Sequence, residues 1–421
     1  MNDTISILQD LIRLDTQNPP GNEIIAVEYI KNLIEPYKVP YTIYTYNENR
    51  GNIVVELGPQ NKESLIILSH LDVVLAHKED WTHDPFAAVI DDGFLYGRGT
   101  LDMKYFTACA LNLIKELAPI SHTLNKGIIF VFSADEEKGS SFGLEKLIQE
   151  EGMKEKLGNK IVLNEGGGFA LFDAKGKSHY LFESGQKSVA RIGVKVKEDK
   201  NFNPYFPLLS HEKILVRVIN TLQNLIIDDT PSPTSALLST HFVGTTDEKT
   251  KLLIDTMSSH MITATVIHGG ARNTKLEKNV RASVDFDCRL LPHISKEQFI
   301  RKIEEALTGL PVTIELLSFS KGYESISSEY MTSLILRSLQ KVDPSITSLL
   351  PFITPGSNDG KFLHPLGCEI FGFAPLLVSE PFTQVLPLIH GIDERISLES
   401  VNFCYKVLYE LTTAYLQGET T

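Results

Sequence analysis

Only four cysteines, Cys109, Cys288, Cys368 and Cys404, are spread along the 421 residues, and no two form a CxxC pair. That spacing suggests neither a disulfide framework nor a thiolate zinc site, and it fits a reducing compartment. Long apolar runs are also missing. The longest candidates are strand-length pieces such as IIFVFSA, well short of the roughly 18 residues a membrane helix needs. The opening segment MNDTISILQDLIRLD has neither the basic stretch nor the small-residue cleavage site of a secretory signal. Positive charge is in deficit, with 40 Lys and Arg against 53 Asp and Glu. This argues against nucleic acid as a partner, because phosphate-backbone binders carry basic stripes. The absences together lead to the expectation of a soluble cytoplasmic protein with neither membrane nor nucleic acid as partner.

With 42% hydrophobic and 22% charged residues, the chain has the apolar surface to fold on its own. It is longer than the roughly 250–300 residues at which single cores stop growing, so two domains are expected. Two helical patterns between Ile5 and Tyr37 flank the breaker NPPGNE. Strand-length apolar runs at Ile53–Leu57, Ser64–Ser69, Gly127–Ser133 and Lys160–Leu163 then alternate with helical periodicity at Leu101–Leu117, which predicts an α/β sheet. After about Gly185 the texture changes. SVARIGVKVKE and VRASVDFDCRLL alternate apolar and polar residues, with helical stretches at Glu212–Leu225 and Lys296–Leu307. The expected organisation is a first domain in two parts, residues 1–186 and 321–421, interrupted by an inserted α+β domain over 187–320.

The chemistry-bearing residues fall at expected strand ends. In SHLDVV, His70 and Asp72 lie two apart, on one side of an extended backbone, where an Asp can hold a ligand imidazole through its second nitrogen. In LYGRGTLDMK, Asp102 stands at the start of a helical pattern; an Asp there commonly just caps the helix. SADEEKG follows a buried-looking strand with three acids in succession, a costly clustering unless cations compensate it. LNEGGG puts Glu165 ahead of glycines that allow close backbone approach, and LIHGIDERI offers His390. Each has an ordinary structural reading alone. Together, two imidazoles and several carboxylates suit paired zinc, manganese or cobalt ions.

The ordered set DTQNPPGNE, SHLDVV, WTHDPF, LYGRGTLDMK, ADEEKGS, LNEGG, GGARNTKLEKNVRASVDFDCRLLP and GSNDGKF with a final HG resembles the M20 family of metallopeptidases and deacylases. The resemblance spans nearly the whole chain. It implies a mixed-sheet α/β metallohydrolase domain with an inserted α+β lid and dimerisation domain. It also implies two divalent ions, zinc first among them, held by His70, Asp102, Glu137, Glu165 and His390. Asp102 would bridge the ions, Asp72 would support His70, and Glu136 would be the general base. Asn273, Arg289 and Gly356 match positions that contact substrate in relatives. The implied reaction is hydrolysis of an amide in a dipeptide or N-acyl amino acid, the ESGQKSVARIGV junction favouring carboxypeptidase S-like members. Relatives often dimerise through the insertion and carry a GHSS-like stretch there; here the region reads VKEDKNFNPYFPLLSHEK, with His211, Asn201 and Asn203 as substitutes to consider. That departure motivates a second reading, a non-catalytic protein that binds amino-acid derivatives or a protein partner. Two-metal phosphoester hydrolysis is a third, against which stands the lack of a GxxxxGK loop.

Overall fold

The computed structural model describes residues 3–61, 63–197, 207–228, 230–268 and 282–418. Its larger sheet has ten strands, and the three at its centre position the chemistry. Leu65–His70 pairs in parallel with Ile128–Ser133 on one side and Ile161–Asn164 on the other. Every residue of Leu65–His70 and of Ile128–Ser133 is buried, as central parallel strands covered on both faces require. Alternate residues feed two cores. Leu65, Ile67, Phe130 and Phe132 pack with the helices Asp3–Arg13, Lys104–Leu117, Glu329–Val342 and Leu398–Gln417. Ile66, Leu68, Ile129 and Val131 face Leu144, Leu147 and Leu157 on the other side. The strands are parallel and in register, so His70 sits opposite Ser133, and the residues that follow each strand emerge at one edge of the sheet.

The chain leaves this sheet after Ser178–Gln186, passes Lys187, and enters a second, four-stranded antiparallel sheet at Ser188–Val196. There Met261–His268, Ser283–Leu290, Ser188–Val196 and Val312–Ser320 lie in that order. Its core joins Ile192, Val194, Phe286 and Cys288 to the helices Pro207–Gln223 and Lys296–Ala306 through Val218, Leu222, Phe299 and Ile303. The chain then returns at Tyr323–Glu324, which pairs with Gly185 and Gln186 of the larger sheet. The architecture is therefore a mixed α/β sheet domain with a smaller α+β unit.

Two helices between these strands behave differently. Pro233–His241 and Glu248–Ser258 share a cluster with Phe169, Leu181, Leu350 and Phe352 of the larger sheet, through Leu238, Ile254 and Met257. The buried Lys187 donates to the carbonyls of Thr256 and Ser259, tying the same segment to the crossover. All four cysteines are unpaired and buried. Among the described residues, no helix is long and apolar enough to cross a membrane.

Candidate metal centre

Three adjacent parallel strands deliver His70, the loop holding Glu136 and Glu137, and Glu165 to one end of the sheet. Asp102 and His390 arrive from loops. The helix expected from Leu101 begins at Lys104, with Met103 in the cap position, and the Asp102 side chain faces the imidazoles instead of capping it. His70 Nε2 lies 3.0 Å from Asp102 Oδ1 and 3.5 Å from Glu165 Oε2. On the other side His390 Nε2 lies 3.0 Å from Asp102 Oδ2 and 3.3 Å from Glu137 Oε1. Asp102 thus offers one oxygen to each imidazole, with one further acid beside each. Donor atoms of His70, Asp102 and Glu137, and likewise of His70, Glu136 and Glu165, fall within 4.8 Å of one another.

The electrostatics show what this cluster lacks. Burial, reinforced by Glu165, pushes the Glu136 carboxyl well above its ordinary range, and burial raises Glu137 and lifts Glu165 to about 7. Donation to the carboxylates of Asp102 and Glu137 raises His390 to about 10. Burial opposes the charged form of His70, yet Glu165 and the bond to Asp102 hold it well above the usual imidazole value. Glu136, Glu137, Glu165 and both imidazoles are therefore driven towards their protonated forms, where bound cations would do the neutralising instead. Glu137 Oε1 is buried and faces His390 Nε2 at 3.3 Å, two donor atoms that a shared cation would satisfy together. The donor set fits two divalent ions.

A pH dependence follows. Both imidazoles are held above their ordinary range in the metal-free chain, and ligation requires them neutral, so loading should release protons. Titrating zinc into the protein at pH 7 in two buffers of different ionisation enthalpy should show release of at least about two protons per chain, those of the imidazoles and a further share from Glu165. Apparent affinity should then fall by at least about 100-fold for each pH unit below 7. Release of none would contradict the assignment of both histidines.

The surrounding residues hold these groups in place. His70 Nδ1 lies 3.0 Å from the main-chain carbonyl of Asp72 and 3.5 Å from its carboxylate, so the backbone is the nearer partner. The Asp72 carboxylate accepts instead from the main-chain N–H of Glu136 at 3.1 Å and Glu137 at 3.2 Å, and from Asn18 at 2.8 Å. It fixes the loop that presents both glutamates. Asp135, the first of the three successive acids, is compensated by Arg50 at 3.2 Å and by Asn18 at 2.8 Å. Arg50 in turn pairs with the buried Glu23 at 2.5 Å. The sequence reading did not assign Asn18, Glu23 or Arg50, although DTQNPPGNE contains the first two. It also missed Glu394, which is fully buried and accepts from the N–H groups of Gly99, Leu101 and Asp102 at 3.0, 2.7 and 3.2 Å. Arg98 pairs with Glu394 at 2.6 Å and donates to the His390 carbonyl at 3.1 Å.

Close backbone packing behind Glu165 explains its glycines. A Cβ on Gly167 would lie 2.4 Å from the Gly372 carbonyl oxygen and 2.6 Å from the Glu183 nitrogen. Of the expected substrate contacts, Gly356 lines the cavity over the carboxylates. Arg289 does not: it is paired with Asp287 at 2.6 Å and donates to the Pro355 carbonyl at 3.0 Å, one residue from Gly356. Asn273, Asn201 and Asn203 lie outside the described residues. His211 lies inside the helix Pro207–Gln223, not ahead of it, and is buried. A larger surface depression of about 590 Å3, lined among others by Tyr37, Lys38 and His122, sits at the opposite end of the sheet.

A mixed sheet that brings two imidazoles and four carboxylates to one end provides the donor set of a paired metal centre. The chain belongs to peptidase family M20/M25/M40, which it matches over residues 66–414. It is 33% identical to a probable succinyl-diaminopimelate desuccinylase of Staphylococcus epidermidis over 41% of this chain and 42% of that protein. It is 23% identical to aminoacylase-1 of Dictyostelium discoideum over 89% of this chain and 90% of the relative. An M20 family metallo-carboxypeptidase from Sulfolobus solfataricus shares the fold, with a TM-score of 0.74 at 18% identity, covering 99% of each chain.

Proposed function

We propose that the protein hydrolyses an amide or peptide bond in dipeptides or N-acyl amino acids, in the cytoplasm, with two divalent ions at this centre. The observation that carries the reading is the split of Asp102, one oxygen 3.0 Å from His70 and the other 3.0 Å from His390. His70, Asp102 and Glu165 would hold one ion and His390, Asp102 and Glu137 the other. Zinc suits this donor set, and cobalt or manganese would also be accepted. When bound, such a pair lowers the pKa of a shared water and polarises the substrate carbonyl. Glu136 is the general base: it takes the water's proton and delivers it to the departing amine. Asp72 keeps Glu136 aimed by holding its main-chain N–H. Arg289, Asn273 and Gly356 are assigned to the substrate carboxylate, for which an arginine offers a two-pronged fork once released from Asp287. The catalytic unit comprises residues 1–186 and 321–421, and 187–320, apart from the two helices that pack on the larger sheet, forms the lid, through which two copies pair.

The test is metal content per chain together with hydrolysis of a mixed library of dipeptides and N-acyl amino acids. Two ions with turnover supports the reading. Two ions with no turnover across the library would favour a protein that only binds amino-acid derivatives.

A further inference from the structure

Asp72 holds the loop of Glu136 and Glu137, and Glu394 with Arg98 holds the loops of Asp102 and His390. Glu165 takes no part in these bonds. Its chain neighbours are held by a separate cluster of buried polar side chains, Asn164, Glu183, Gln186 and Asn358. Asn164 ends the strand Ile161–Asn164, Glu183 lies in Ser178–Gln186, and Gly372 sits between them, in register with both. Asn358 bonds to both. Its Nδ2 donates to the two Glu183 oxygens at 3.0 and 3.1 Å, while its Oδ1 accepts from Asn164 Nδ2 at 3.0 Å. Oδ1 also accepts from the main-chain N–H of Gly360 at 3.0 Å and from Gln186 Nε2, and the Gly360 bond fixes which way the amide points. A Cβ on Gly372 would lie 2.5 Å from the Glu183 Cβ, so a glycine there gives the glutamate its room. On the far side of Glu165, a Cβ on Gly166 would lie 2.1 Å from Glu183 Oε2 and 3.2 Å from Asn358 Nδ2. Glu165 is thus flanked, by Asn164 before it and Gly166 after it, by residues that touch the Glu183–Asn358 pair.

We propose that the Glu183–Asn358 pair positions Glu165, and that it governs the affinity of the ion at His70 and Glu165 while leaving the ion at His390 and Glu137 nearly untouched. The inference rests on the two-ion assignment given above. A ligand that must be ordered as the ion arrives loses conformational entropy, and that loss weakens binding. Glu165 is exposed to this cost because three glycines follow it, two of them with positive φ of 106° and 94°, and glycine restrains its own backbone least. Rigidity must come from outside the loop. A buried network in which both partners of each bond are present supplies it, and this one grips the chain immediately before and after the ligand. Among the described residues, the pair's side-chain bonds run to Asn164, Gln186 and Gly360, not to the loops that carry Glu137 and His390. The effect should therefore fall on one ion.

The test is a titration of zinc against a competing chelator into wild type, Glu183→Ala, Glu183→Gln and Asn358→Ala, with Glu165→Ala and His390→Ala as markers of the two sites. The binding step that Glu165→Ala removes identifies the ion beside His70. Glu183→Ala should weaken that step by about 10–100-fold and leave the step that His390→Ala removes within about threefold, the selective loss expected when a group that orients one ligand is removed. Asn358→Ala should do the same, and Glu183→Gln, which keeps an oxygen to accept from Asn358, should restore most of the affinity. Urea unfolding of each metal-free variant is measured alongside. Equal weakening of both steps, or a lowered urea midpoint with both steps intact, would make the pair a general structural element and overturn the proposal. Where Glu183→Ala does not fold, Asn358→Ala carries the same expectation and the same refutation. Two ions in wild type with neither step altered in any variant overturns the proposal alone. Fewer than two ions in wild type overturns the two-ion reading together with it.

Discussion

Glu136→Gln should leave both ions bound and reduce kcat by about 100- to 10,000-fold, the usual worth of a positioned general base. The substitution keeps the size of the side chain and removes only its basicity. Glu136 is the right group to lose in this way because it is the one acid of the cluster without an imidazole at pairing distance. Glu165 lies 3.5 Å from His70, Asp102 lies 3.0 Å from both histidines, and Glu137 lies 3.3 Å from His390. Glu136 is half-buried beside His70 and Glu165, where a carboxylate can take up a proton and give it away again. Its main-chain N–H bond to Asp72 does not depend on the side chain, so the loop should keep its shape. Metal content and steady-state rates, measured side by side on wild type and variant, check this. An unaltered kcat, or loss of one ion on substitution, would mean that Glu136 is a ligand and that the base lies elsewhere.

Much of this centre was legible in the sequence because the fold places function where the apolar runs stop. His70, Glu136, Glu137 and Glu165 each follow a run that the structure shows as a central parallel strand. The side chains that hold them were not legible, and the reason is physical. Adjacent acids in a loop do not announce which way each points: Asp135 turns towards Arg50 and Asn18, whereas Glu136 and Glu137 turn towards the histidines. The pairing of Glu394 with Arg98 joins residues 296 positions apart, and no local pattern encodes it. Arg289 is an instructive middle case. Asp287 precedes it by two on the strand Ser283–Leu290, a spacing that puts both on one face, so an internal partner for its guanidinium could have been anticipated. The helices Pro233–His241 and Glu248–Ser258 went unread for another reason. Their buried residues meet the strand Leu349–Thr354, a partner distant in sequence that determines their packing.

Glu394→Gln should lower the stability of the metal-free protein by about 3–5 kcal/mol, because it leaves the buried Arg98 guanidinium without its counter-charge. It should also weaken metal binding by about 10–100-fold, the effect expected when a group that orients ligands is removed. Both follow from the position of one carboxylate that contacts no ion. Its oxygens gather the N–H groups of Gly99, Leu101 and Asp102, so the loop that aims the shared Asp102 is folded around it. Through Arg98 it reaches the carbonyl of His390, whose backbone adopts a left-handed φ of 59° that a non-glycine residue rarely holds unaided. A glutamine keeps one acceptor oxygen for the loop but cannot balance the arginine. Urea unfolding of the metal-free variant reads the first effect, and a zinc titration against a competing chelator reads the second. Arg98→Lys, which retains the charge but not the fork, should lose less stability while still releasing the His390 carbonyl. An unchanged unfolding midpoint in Glu394→Gln would show that the pair does not hold the loop, and that the geometry of Asp102 is set by the ions themselves.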